Sequence, residues 1–241
     1  MYGCASAPYT GRSQLILISE DQERSLGFSA YQSLVKKEKV VRGTAASEML
    51  ERVGSRIAAA ADRPDYDWEF VLIENDQVAN AFALPGGKVF VYTGILEYTK
   101  NEAGLATVVG HEIAHVLARH GAERMSIGLL SQIGETALVA AVNSQSPTAV
   151  RAFQSAYGIA ANIGVILPYS RQQEYEADRI GLILMAKAGY DPHAALDFWE
   201  RMSRSAQGPK PPPFLSTHPT DEARIKKIQG LLPEALSYYS R

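Results

Sequence analysis

Residues 111–115 read His111-Glu112-Ile113-Ala114-His115, inside a stretch that Asn101 is placed to open as a helix. Residues four apart on a helix stand one turn above each other, so both imidazoles project from one face and can share a metal ion. Glu112 is turned by about 100° from His111, beside that face without taking a ligand position. The surroundings of this helix decide the fold class. Before it, residues 68–73, 80–84 and 88–92 are short apolar runs, the last two joined by the turn Pro85-Gly86-Gly87. From Asn101 onward the pattern is helical to the end. Strands confined to one early block predict an α+β fold, predominantly helical, with a small and mostly antiparallel sheet.

Around this centre the chain reads as residues 1–18, a small-residue tether, followed by one domain over 19–241. Ser19 and Gln22 form a capping box for a helix to about Lys37, and a second helix covers about 44–60 before Asp62-Arg63-Pro64. The histidine helix is expected to stop at His120-Gly121, with the glycine just past its end. Residues 125–168 carry only Glu135 and Arg151 as charges and read as a helical hairpin turning near 144–148. This insert is too polar to span lipid. It could be a lid, an apolar contact surface or a buried hairpin of the core. Ser170 with Gln173 caps the next helix, Asp191-Pro192 the one after, and Pro219 starts the last.

Composition removes several function classes. Among 241 residues, Lys+Arg 24 against Asp+Glu 26 leaves a net charge of −2. That is no basis for phosphate contacts, so nucleic acid is not expected as a partner. The single cysteine, Cys4, excludes an internal disulfide.

A catalytic metal site usually takes three protein ligands. Cysteine is excluded as the third, because Cys4 lies in the lead. Glu174 is the best candidate: it falls in the first turn of the Ser170 helix, with Asp178 one turn along the same face. Asp178 can accept the second ring N–H of a ligating histidine. The alternative is that Glu174, Glu176 and Asp178 are an ordinary solvated helix start, with acids favoured by the dipole. His120 and His193 are left outside the site.

This combination resembles the gluzincins, and more closely the HtpX and CAAX-prenyl-protease family of zinc endopeptidases. The matching stretches are Asn80-Ala81-Phe82-Ala83-Leu84-Pro85-Gly86-Gly87, His111-Glu112-Ile113-Ala114-His115, Ser170-Arg171-Gln172-Gln173-Glu174-Tyr175-Glu176-Ala177-Asp178, and His218-Pro219 with Arg224-Ile225. The resemblance implies a zincin-like fold and one zinc ion per chain held by His111, His115 and Glu174. It implies Glu112 as general base, and His218 and Arg224 as donors to the developing negative charge, or His218 as a residue that plugs the open metal position. The alternatives are a helix cap for His218 and a surface charge for Arg224. Asn80, Ala81, Phe82 and Ala83 would be an edge strand to which a peptide substrate adds; the alternative is a plain hairpin strand.

Gly3-Cys4-Ala5 is similar to the processing site of a lipoprotein, as in the periplasmic members of the LoiP and YcaL kind. That resemblance implies a lipid on Cys4, contact with the outer membrane, a periplasm-facing location, and misfolded or assembling envelope proteins as polypeptide substrates. A chance cysteine is the alternative. A reading of a different class is a periplasmic chaperone or assembly factor with a regulatory, non-hydrolytic metal.

Overall fold

The computed structural model describes residues 3–157, 170–208 and 211–239. Its centre is a four-stranded sheet in the order β3 (Val40–Val41), β4 (Glu69–Ile73), β6 (Lys88–Tyr92), β5 (Ala81–Leu84). The β3–β4 and β5–β6 pairs are antiparallel, but β4 and β6 run parallel, with Val71 beside Phe90. The sheet is therefore mixed. The β5–β6 hairpin turns on Gly86 and Gly87 at φ of 86° and 94°, the left-handed region open to glycine.

Alternate residues of each strand point to opposite faces, and here both faces are covered. Leu72, Val89, Val91, Ala81 and Ala83 belong to one buried cluster, and Val71, Ile73, Phe90, Tyr92 and Phe82 to the other. Burial on two sides explains why these strands read as continuous apolar runs. The first cluster packs against α2 (Ala45–Ala61), α4 (Glu102–Leu117), α7 (Arg171–Lys187), α8 (Ala194–Ala206) and α10 (Glu222–Leu236). The second packs against α1 (Glu20–Lys37), α5 (His120–Asn143) and α6 (Pro147–Ala156). Short helices α3 (Leu96–Thr99) and α9 (Phe214–Thr217) complete the order.

Local chemistry sets most helix starts. Both expected capping boxes form, Ser19 with Gln22 and Ser170 with Gln173, and a third joins Thr44 and Ser47. Asn101 accepts from the Gly104 amide. The hairpin expected in the insert corresponds to α5 and α6, with residues 144–146 between them, while 158–169 lies outside the described residues.

Three expectations change. Residues 3–18 are not a loose tether: β1 (Gly3–Ser6) pairs antiparallel with β2 (Ser13–Ile16), and Ala7, Ile16, Leu17 and Ile18 are buried. Strands thus also occur outside the 68–92 block, at 3–6, 13–16 and 40–41, although every described strand still precedes α4. The histidine helix ends at Leu117 rather than at His120, because Arg119 takes a left-handed conformation (φ 52°). Its guanidinium is anchored there on Glu23 and the Ile18 carbonyl. Gly121 lies within α5, where a Cβ would run into the Tyr157 ring. Finally, α10 begins at Glu222 with Asp221 as its cap, so His218 closes α9 instead of opening the last helix.

Candidate metal centre

Two buried helices, α4 and α7, build the site. Their close approach is allowed by a glycine from each: a Cβ on Gly181 would stand 3.0 Å from the Gly110 carbonyl carbon and 3.0 Å from the His111 amide nitrogen. The pair sits beside His111 on α4 and one turn beyond Asp178 on α7. Glycine therefore sets the spacing between His111 and His115 on one helix and Glu174 and Asp178 on the other.

The geometry brings the expected ligands together. His111 Nε2 and His115 Nε2 are 3.1 Å apart, and Glu174 reaches them with Oε2 at 3.5 Å and Oε1 at 3.4 Å. His218 enters from α9 with Nδ1 at 3.0 Å from Glu174 Oε1 and 3.1 Å from His111 Nε2. Ligand atoms from all four residues lie within 4.8 Å of one another, and all four are buried. Imidazole nitrogens and a carboxylate converging out of water are a donor set suited to a divalent transition metal. The chain's residues thus fit a metal ion.

Charge around the cluster is arranged by burial and pairing. Burial alone would push His111 down, but contact with Asp178 and Glu174 outweighs it and raises the imidazole to about 9. Asp178 Oδ1 lies 3.1 Å from His111 Nδ1, close but off the direction of the ring N–H. Burial also dominates at His218, which falls to about 4. Glu174 is held well below the usual carboxylate range despite its burial, chiefly by Arg224 and then by the histidines. Glu112 goes the other way: burial, with Glu174 nearby, lifts it to about 8. Its Oε1 has no hydrogen bond and faces His218 Nε2 at 3.3 Å.

Arg224, in the first turn of α10, is fully engaged. Nε and Nη2 each donate to Asp178 at 2.8 Å, while Nη1 donates to the Pro219 carbonyl and stands 2.6 Å from Glu174 Oε2. Its guanidinium lies over the Trp199 ring at 3.7 Å. Asn80–Ala83 sits where an edge strand was expected, since among the described residues β5 ends the sheet and pairs with β6. Yet these residues are at most 5% exposed, and Phe214 at the start of α9 donates its amide to the Ala79 carbonyl beside the strand.

Sequence reasoning left His120 out, and the structure places it against the cluster, with Nδ1 2.8 Å from His115 Nδ1. The only signal was its position five residues after His115, which depends on the reversal at Arg119 and is invisible to helical spacing. His193 lies outside, pairing with Asp191 on the surface.

With the ligand geometry in view, the comparison with known proteins is decisive. The profile of peptidase family M48 matches residues 44–232. The chain belongs to this family. Over 232 residues it is 38% identical to the mitochondrial metalloendopeptidase OMA1 of Schizosaccharomyces pombe, covering 95% of this chain and 66% of that protein. It is 34% identical to human mitochondrial metalloendopeptidase OMA1, covering 95% and 46%. The beta-barrel assembly-enhancing protease of Escherichia coli is 31% identical, covering 90% and 45%. This M48 chain thus spans between 45% and 66% of the length of these relatives. No helix among the described residues is long and apolar enough to cross a membrane.

Proposed function

We propose that the protein is a zinc-dependent endopeptidase in which Glu112 is the general base. The observation carrying this reading is the buried convergence of His111, His115 and Glu174 beside the unpartnered Oε1 of Glu112. A zinc ion on these ligands would supply Lewis acidity toward a peptide carbonyl and lower the pKa of water. The remaining work falls to the chain. Glu112, whose burial raises its proton affinity, takes a proton from the attacking water and hands it to the departing amide nitrogen. Asp178 faces the outer nitrogen of His111 and fixes the ring. Four of the five N–H groups of Arg224 face Asp178, Glu174 and the Pro219 carbonyl, and the fifth, on Nη2, points toward His111 Nε2 at 3.5 Å, so its main role is to hold Asp178 and Glu174 in place. His218 is left as the donor to the developing oxyanion.

Glu112→Gln is the deciding experiment. Cleavage of unfolded casein should be lost while bound zinc remains. A Glu112→Gln protein that still cleaves overturns the assignment. One that loses no cellular phenotype favours the chaperone reading instead.

His218 also supports a second reading, a latent enzyme. It contacts both Glu174 and Glu112, and the same α9 segment hydrogen-bonds beside β5. Substrate then enters only after α9 moves away, exposing the edge of β5 over Ala81 to Ala83. His218→Ala distinguishes the roles: activity rises if the histidine is a plug and falls if it is the oxyanion donor.

For clients and place, we propose misfolded or assembling envelope proteins and a periplasm-facing position, with a lipid on Cys4. The name of the bacterial relative, beta-barrel assembly-enhancing protease, supports the client class, the lipid rests on the Gly3-Cys4-Ala5 resemblance alone, and the OMA1 relatives are named for the mitochondrion. Cell fractionation with palmitate labelling, wild type against Cys4→Ser, tests it.

A further inference from the structure

Behind His115 stands a second buried set of polar groups that the hydrolytic reading does not use. His115 turns Nε2 toward His111 and Glu174, and its other nitrogen, Nδ1, meets His120 Nδ1 at 2.8 Å. His120 is fully buried, and its Nε2 lies 2.9 Å from Glu176 Oε2. Glu176 is in turn held by two residues of the turn between β1 and β2: Thr10 donates its hydroxyl to Oε1, and Arg12 donates Nε to Oε2 at 2.7 Å. The two terminal nitrogens of Arg12 donate to Glu123 at 2.8 and 2.7 Å, and Gln173, next to Glu174 in the chain, donates to the same carboxylate at 2.7 Å.

We infer that His120 is the positioning residue for the ligand His115, and that Glu176, Thr10 and Arg12 tie the N-terminal hairpin to the metal centre through it. This rests on reading His115 as a metal ligand. The proton count is what carries it. A histidine that offers the lone pair of Nε2 to a metal carries its proton on Nδ1, so His115 is the donor to His120 Nδ1. His120 must then hold its own proton on Nε2, where Glu176 accepts it. Glu176 stays an acceptor because Arg12 and Thr10 both donate to it. Each proton has one place, and the ring of His115 is locked from behind. His111 is backed by one carboxylate, Asp178. His115 is backed by a histidine and then a carboxylate, a longer arm whose far end is the residue 3–18 hairpin.

Zinc affinity, measured by chelator competition, tests this without reference to cleavage. His120→Phe keeps a ring but accepts nothing, and should bind zinc about 10–100-fold more weakly. His120→Gln can accept from His115 and donate to Glu176, and should restore affinity to near wild type. Arg12→Leu, far from the ligands, should lose up to about tenfold. The absorption spectrum of the cobalt-loaded chain should shift in His120→Phe and Arg12→Leu, which a purely structural role would not cause. Melting of the chelator-treated variants reports folding. If His120→Phe does not fold, His120→Gln and Arg12→Leu carry the test. Wild-type affinity in both His120→Phe and Arg12→Leu, or equal losses in His120→Phe and His120→Gln, overturns the inference. A wild-type chain that binds no zinc overturns instead the reading of the metal centre.

Discussion

Replacing Arg224 by methionine isolates the energetic core of the site. Methionine has a similar reach and can still lie on Trp199, so the change removes charge and hydrogen bonds more than volume. Arg224 is 2% exposed and serves two carboxylates at once, Asp178 with two bonds of 2.8 Å and Glu174 at 2.6 Å. Removing one partner of a buried ion pair costs about 3–5 kcal/mol, because the other charge stays behind without compensation. Two stranded carboxylates place the metal-free protein at the upper end of that range. For a domain of this size each kcal/mol moves the melting temperature by about 2–4 °C, so a cost near 5 kcal/mol should lower it by about 10–20 °C. The sign with pH follows from the same contacts. Burial would raise both carboxyls, yet Arg224 foremost holds them below their ordinary range. That stabilisation is present above the unfolded pKa, near 4, and is lost as pH falls through the folded values. The deficit of Arg224→Met should therefore be largest near neutrality and narrow below about pH 4. Urea unfolding followed by circular dichroism, with chelator present at about pH 7 and about pH 2.5, well below the unfolded carboxyl pKa, measures it. Saturating zinc should recover part of the loss, since a dication replaces the missing charge. A deficit under about 1 kcal/mol at pH 7, or the same deficit at both pH values, refutes the reasoning.

The remaining predictions are shorter. Glu112 binds its proton more tightly folded than unfolded, so its ionisation costs stability from the ordinary carboxyl range up to about 8. In chelator, Glu112→Gln should thus gain on wild type by about 1.4 kcal/mol per pH unit across that window, read from melts at several pH values. Gly181→Val thrusts a branched side chain against the α4 backbone. It should cost about 1–3 kcal/mol and weaken zinc binding, with thermal melts and chelator competition as the checks. Metal removal by chelator should lower the melting temperature, and free zinc at about 1,000 times its dissociation constant should return about 4 kcal/mol, as scanning fluorimetry would show. Tyr157→Phe deprives the buried Glu23 of one donor and should cost about 1–3 kcal/mol in urea unfolding.

What was legible in the chain was what short-range chemistry decides. Ser19, Asn101 and Ser170 mark helix starts because each satisfies amides two or three residues on. The i, i+4 spacing in α4 and α7 aligned His111 with His115 and Glu174 with Asp178 before any tertiary contact was considered. Long-range pairing was not legible. The parallel β4–β6 register, which makes the sheet mixed, depends on how β5 folds back rather than on any residue in β4. The β1–β2 hairpin looked like a tether because its small residues have weak strand preference, and its order comes from packing and from the reach of Arg12 to Glu123 and Glu176. Arg119 adopts a left-handed conformation that its type seldom takes, stabilised by Glu23 almost a hundred positions earlier. Because that turn was missed, His120 was placed on the wrong side of it.

The order in which the site's parts occur along the chain has a bearing on its synthesis. His111 and His115 leave the ribosome well before Glu174, and Asp221-capped α10 with Arg224 follows later still. Until that first turn of α10 folds onto Trp199, Glu174 and Asp178 lack the guanidinium that foremost offsets their burial. A nascent chain therefore carries an unassembled metal centre until residues 221–224 have been made. The proposed hydrolytic centre is thus withheld from the unfolded segments that precede α10 until those segments have been made.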